Sequence, residues 1–233
     1  MRFRSFGWAV LVLLGSVSAR ADHVVISQIY GGGGNSGSVL KNDFIELLNA
    51  SHAAVDLIGF SVQYTSTTGT GVWQVTDLSP VTLQPGQYYL IQESAGGGGV
   101  ADLPAVDATG SINLSATAGK VALVDGVSAL TGSNPTNSSI VDLVGYGSGT
   151  DFFEGGGPAP TLSNTLSAQR LDGGLMDTDN NNLDFTTGSP NPRNTVSPFN
   201  PPPSVPEPSS MALLGTAMAG LWVMRRRLAR AAA

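Results

Sequence analysis

Short apolar runs separated by turn residues constrain this chain more than any other feature. Val24 to Tyr30, Phe44 to Leu48, Val55 to Tyr64, Val72 to Val75, Tyr88 to Gln92, Val121 to Val124 and Ile140 to Tyr146 each have strand length, and segments rich in glycine, proline or asparagine bound them. No helical period survives between them. Alternation is clearest at Phe60, Val62 and Tyr64 and at Ile45 and Leu47, which predicts sheets with one face buried and the other wet. Many short strands with glycine-rich turns predict an all-β fold, a β-sandwich. The sequence contains no cysteine, so disulfides, thiol nucleophiles and zinc–thiolate sites are excluded and stability must come from burial.

The two ends read as addresses. Arg2 and Arg4 precede an apolar stretch from Phe6 to Val17, and Ala19 and Ala21 supply small residues where a signal peptidase reads, which predicts a signal peptide over 1–21. At the other end an apolar run from Met211 to Met224 would rise only about 21 Å as a helix, against a hydrocarbon core about 30 Å thick. Its flanks decide the reading. Pro198, Pro201, Pro202, Pro203, Pro206 and Pro208 lie before it and Arg225, Arg226 and Arg227 after it, so it predicts a marginal single-span anchor helix over 209–233 rather than a core helix. The positive-inside rule then puts the residues between the two ends outside the inner membrane. The order Pro206-Glu207-Pro208, apolar run, triple arginine resembles the PEP-CTERM sorting signal of exported Gram-negative bacterial proteins. That resemblance implies cutting near the motif by an exosortase, transient anchoring in the inner membrane, and release to the cell envelope or the extracellular space.

Between these ends the expected organisation is one sandwich domain over 22–196 and a proline-rich linker over 197–208. Residues 22–208 hold only four cations, Lys41, Lys120, Arg170 and Arg193, against all 17 acidic residues. Such a surface repels phosphate backbones and offers no basic stripe, so nucleic acid is not an expected partner.

The run Asp43-Phe44-Ile45-Glu46-Leu47-Leu48-Asn49, followed by Val55-Asp56-Leu57-Ile58-Gly59-Phe60, resembles the opening of the lamin tail domain. Leu83-Gln84-Pro85-Gly86-Gln87-Tyr88, Ile112 to Ser115 with Val121 to Asp125, and Ile140 to Gly147 follow in that family's order. Ser167 to Leu171, Asp177 to Asn181 and Ser189-Pro190-Asn191-Pro192 extend the likeness over about residues 24–194. The resemblance implies an immunoglobulin-like sandwich that serves as an interaction or accessory module. The family is often attached to secreted nucleases or hydrolases, and no such domain accompanies it in this sequence, so a non-enzymatic role is expected.

Individual motifs are weak. Gly32 to Gly37 satisfies G-x-G-x-x-G, but only Ser38 to Asn42 separate it from the next strand, too few for the helix a dinucleotide site needs, so a mobile hairpin loop is expected. Asp177, Asp179 and Asn181 have the D-x-D-x-N spacing of a calcium loop, with Asp184 nearby. Asn182 and Gly188 replace the glycine and glutamate that complete an EF-hand, so an Asx-rich structural turn is favoured and calcium is the only cofactor worth testing. Glu46 and Arg170 are expected to pair between strands, and Asp56, Asp125 and Asp142 to bond nearby backbone. His23 and His52 form no recognisable catalytic arrangement, and for paired carboxylates such as Asp43 and Glu46 nothing in the sequence supplies the separation that glycosidic chemistry requires. Trp73, Tyr64, Tyr88 and Tyr89 are expected to pack in the sandwich. The expected function is binding or scaffolding of an extracellular polysaccharide or protein. A calcium-dependent adhesion module and an accessory module or hydrolase for surface polymers are the alternatives.

Overall fold

The computed structural model describes residues 23–203. The signal peptide with Ala19 and Ala21, the sorting motif with Pro206, Glu207 and Pro208, and the anchor with Arg225 to Arg227 lie outside them. One compact unit extends to Pro201, and the unit from Pro202 onward falls almost wholly outside the described residues.

Twelve strands form the compact unit: β1 (Val24–Tyr30), β2 (Asn42–Asn49), β3 (Val55–Asp56), β4 (Phe60–Thr65), β5 (Gln74–Asp77), β6 (Thr82–Leu83), β7 (Tyr88–Ala95), β8 (Ala108–Thr109), β9 (Gly119–Asp125), β10 (Ile140–Tyr146), β11 (Ser167–Arg170) and β12 (Phe185–Gly188). A 3-10 turn at Asp172–Gly174 and one helical turn, α1 (Asn181–Asp184), are the helical elements among the described residues. One sheet has the order β12-β11-β1-β2-β7-β8, a second β10-β9-β4-β5, and β3 pairs with β6. All pairs are antiparallel except β7 with β8.

The predicted strands form, with one division and one shift, the run expected at Val72 to Val75 starting instead at Gln74 and reaching Asp77. The run from Val55 to Tyr64 breaks after Asp56, where Asp56 Oδ1 accepts the Ile58 N–H and Gly59 takes φ 77° before β4 begins. Pro85-Gly86 also behaves as its chemistry predicts. Gly86 takes φ 77°, and the Gln87 N–H donates to the Gln84 carbonyl at 3.0 Å across the turn.

Ile26, Ile29, Ile45, Leu47, Tyr89 and Ile91 from the first sheet meet Val62, Tyr64, Val121, Leu123, Val144 and Tyr146 from the second. Burying a side chain of this size stabilises by roughly 1.5–3 kcal/mol, which makes this contact the main source of stability in a cysteine-free chain.

The expected wet face is corrected by the structure. Loops carry a second apolar layer over both outer faces. Val25, Leu48, Ala50 and Tyr88 are covered by Leu175, and Tyr30, Phe44 and Leu90 by Leu40 with Leu103 and Val106. On the other sheet Trp73 and Leu130 cover Ala122, Val124 and Leu143. The four aromatics singled out above are therefore buried in packing.

Gly32 to Gly37 form the expected loop between β1 and β2, in which Gly32 to Gly34 are buried and Asn35 to Gly37 are exposed. A Cβ on Gly33 would lie 1.9 Å from the Asn42 backbone, and one on Gly34 would lie 2.0 Å from the Gly96 nitrogen. The glycines allow two loops to touch backbone to backbone, with the Gly98 N–H donating to the Gly34 carbonyl.

Candidate functional site

β11 pairs with β1 only at Gln28–Gln169 and Ile29–Ala168, so Ile26, opposite Leu47 of β2 on one side, faces no strand on the β11 side. Two side chains take that strand's place. Arg170 Nε donates to the Ile26 carbonyl at 2.9 Å, and Asp142, from the edge of the opposite sheet, accepts the Ile26 N–H. Arg170 Nη2 donates to both Asp142 oxygens at 3.0 and 2.9 Å, and Nη1 donates to Asp177 Oδ1 at 3.0 Å and the Met176 carbonyl at 3.2 Å. The guanidinium carbon lies 4.6 Å from the Phe185 ring centroid. Burial would lower the Arg170 pKa, but Asp142, Asp177, Glu154 and Asp184 around it raise it instead.

The calcium candidates end in this centre or beside it. Asp177 is bonded to Arg170, and its other oxygen lies 3.6 Å from His23 Nε2. Asp179 is exposed with φ 51°. Asp184 accepts the Thr178 N–H, the Thr178 hydroxyl and the Asn180 N–H, which fixes the turn. Asn181 points toward β10, where its Nδ2 donates to the Leu143 carbonyl and its Oδ1 accepts the Gly145 N–H and the Glu154 N–H. Glu154 accepts from the Leu143 N–H and from Asn181 Nδ2. Together Asn181 and Glu154 occupy the free edge of β10 as a strand would. Burial, reinforced by Asp142, pushes the Glu154 carboxyl up to about 8. The D-x-D-x-N side chains thus diverge into three different roles. Among the described residues no cluster of three or more histidine, cysteine or acidic side chains could hold a metal ion.

The expected Glu46–Arg170 pair is corrected. Glu46 lies on the outer face of β2 and pairs with Arg193, whose Nη2 donates to Glu46 Oε1 at 2.7 Å and whose Nε donates to Oε2 at 3.2 Å. Ser27, bulged out of β1, donates its hydroxyl to Glu46, and the Arg193 guanidinium carbon lies 3.8 Å from the Tyr88 ring centroid. Asp43 lies at the other end of β2, directed into the sandwich. It accepts the Gly33 N–H at 2.8 Å and the Leu114 N–H at 3.0 Å. Asp43 and Glu46 occupy opposite faces and cannot flank one glycosidic bond.

Glu93 of β7 acts electrostatically on Asp43. It accepts the Ile112 N–H at 2.8 Å, while its Oε1 and the Thr76 hydroxyl oxygen complete no hydrogen bond. Burial pushes both carboxyls up to about 7, with Glu93 raising Asp43 further.

Sequence reasoning missed Arg193, Glu93 and Glu154. Arg193 was findable as one of four cations in the mature region, and Asp142, expected to bond nearby backbone, instead reaches the distant Ile26 N–H and Arg170. Nothing local marks Glu93 or Glu154, because their roles depend on contacts distant in sequence.

Beside these centres, an open groove of about 240 Å³ lies over β1, β11 and β12, and Arg170 and Arg193 line it together with Gln28, Gln169, Leu171, Asp172, Thr186 and Asn191. No helix among the described residues is long and apolar enough to cross a membrane.

A PEP-CTERM protein-sorting motif matches residues 204–227. The protein is therefore exported across the inner membrane, transiently anchored there for an exosortase, and delivered to the cell envelope or beyond. A solved structure of a DUF4876 family protein from Bacteroides thetaiotaomicron is similar at 14% identity and a TM-score of 0.52, over 77% of this chain and 74% of that one. That likeness supports the β fold alone. No curated protein matches the chain. The lamin tail domain model matches residues 17–148, more than half of the chain but short of β11, and so the chain belongs to the lamin tail domain family.

Proposed function

We propose that the mature domain is a non-enzymatic binding or scaffolding module of the cell envelope or extracellular matrix. The supporting observation is where its buried charges point. Arg170 faces Asp142 and Asp177, and Arg193 faces Glu46. Asp43 and Glu93 accept backbone N–H groups of loops. These are the groups an enzyme would aim at a substrate, and each is engaged in holding one element to another, with Arg170 and Arg193 also bordering the groove. The polar groove over β11 and β12 is the surface on which an extracellular polysaccharide or protein ligand would sit.

The test uses the processed protein against a panel of surface polysaccharides and nucleic acids, measuring retention and product release separately. Retention without product, unchanged by a chelator, supports the proposal. Release of product would establish the hydrolase alternative, and retention lost on chelation would establish the calcium-dependent one.

A further inference from the structure

The chain stays fastened to the fold past residue 197, where the expected linker begins. Thr195 N–H and hydroxyl donate to Asp107, Gln87 Nε2 donates to the Thr195 carbonyl, and Asn194 Nδ2 donates to the Ala105 carbonyl. Asn200 donates its N–H to the Gly86 carbonyl at 2.8 Å and its Nδ2 to the carbonyls of Asp172 and Gly173. Pro201 follows so closely on Gly86 that a Cβ there would lie 2.3 Å from the proline nitrogen.

From Asn200 the chain reaches Pro206, the first residue of the Pro-Glu-Pro motif, in six residue steps. Fully extended, that is at most about 20 Å. A domain of this length has a radius of gyration of about 16 Å, so the motif stays within roughly one radius of the folded surface. Peeling back the strap to gain reach is opposed at its root, where Arg193 neutralises the buried Glu46. The strap also carries exposed apolar side chains beside the exit, Val196 at 85% and Phe199 at 50% exposure. Isolated apolar side chains are ordinary on a surface, but two on a fastened strand leading to a cleavage motif are placed for a partner.

We propose that the strap face, with Val196 and Phe199 at its centre and the Gln84–Gly86 turn beside it, docks on the membrane-embedded processing enzyme while the motif is cut. The enzyme meets a folded domain and not only a linear signal. This inference rests on the sorting motif and the strap, and it stands or falls independently of the binding role proposed above.

The test follows conversion of uncut to cut full-length chain by pulse–chase in the producing cell. The double variant Val196→Ser/Phe199→Ser is expected to convert several-fold more slowly while its melting temperature stays at the wild-type value. A flexible glycine–serine insert after Pro203 is expected neither to speed the wild type nor to rescue the double variant. Conversion of the double variant at the wild-type rate would overturn the proposal. So would faster cutting of the insert-bearing wild type, which would mean that the domain merely obstructs the enzyme. Because the chain has no cysteine, Val196→Cys carries a single environment-sensitive fluorophore. In enzyme-free vesicles of phosphatidylethanolamine and phosphatidylglycerol the labelled full-length chain is expected to keep its aqueous emission. A blue shift there would assign the face to lipid and overturn the enzyme docking.

Discussion

Two ends of the same sandwich bury carboxylates in opposite ways. At one, Asp142, Asp177 and Asp184 surround the fully buried Arg170, and Glu46 is matched by Arg193 on the outer face. At the other, Asp43 and Glu93 are as deeply buried, at 2% and 1% exposure, and accept backbone N–H groups of the loops they fasten. The first end offsets part of the desolvation with opposite charge, although burial still raises Glu46, Asp177 and Glu154, and the second has no cation beside it among the described residues and meets desolvation by retaining protons. The difference separates two kinds of sensitivity, one to losing a partner and one to pH.

The largest expected effect comes from breaking the compensated end. Arg170→Met leaves Asp142 buried beside Glu154 and Asp177 without a cation and the Ile26 carbonyl unsatisfied, and removing one partner of a buried pair costs about 3–5 kcal/mol. Denaturant unfolding should register a loss of that size, equivalent to a fall of roughly 10 °C in melting temperature. A loss below about 1 kcal/mol would mean that packing alone closes the gap between the sheets.

Next in size is the partnership of Glu46. A double-mutant cycle over Glu46→Gln and Arg193→Met should give a coupling of about 1–3 kcal/mol, at the lower end because Arg193 keeps some contact with solvent. The same cycle with Arg170→Met should be additive. Coupling of Glu46 to Arg170 instead would restore the pairing first expected from sequence.

That expectation shows what was legible. The strand runs, the Pro85-Gly86 turn and the sorting signal could be read because each is a local pattern with a local physical cause. Glu46 was recognised as needing a cation, but the choice between Arg170 and Arg193 depends on the Ser27 bulge and on alternation along β2, which places Glu46 on the outer face. The outer apolar layer was illegible because Leu175, Leu40, Leu103 and Leu130 lie in loops, where apolar residues carry no period. The strap was hidden by its prolines, which signal a linker equally well whether or not asparagines fasten it.

The uncompensated end predicts a pH response. The unfolded carboxyls titrate near 4, whereas Asp43 and Glu93 hold their protons up to about 7. Between those values the folded state binds more protons, so unfolding free energy falls as pH rises, by at most about 1.4 kcal/mol per pH unit for each group. Glu154, pushed up to about 8, acts in the same direction over a wider window. The protein should be more stable at pH 5 than at pH 8, and Glu93→Gln should flatten part of that slope and gain about 1 kcal/mol at pH 8. A stability that rises from pH 5 to pH 8 would show that the backbone N–H groups, rather than protons, stabilise this end.

The smallest effect concerns whether the compensated end is closed to metal. Asp177 Oδ1 is held by Arg170, and Asn181 Oδ1 already accepts two backbone N–H groups, so a calcium ion would have to displace an arginine and uncover the edge of β10. Calorimetry with millimolar calcium should therefore show no saturable heat, and the melting temperature should not move. If calcium did raise the melting temperature of the wild type, Arg170→Met would decide between two sites. An enhanced response in the variant would place the ion in the vacated arginine position, and an unchanged response would place it elsewhere on the acidic surface. Either result would show that excess negative charge, and not the arginine pairing, is what this end of the molecule presents to its surroundings.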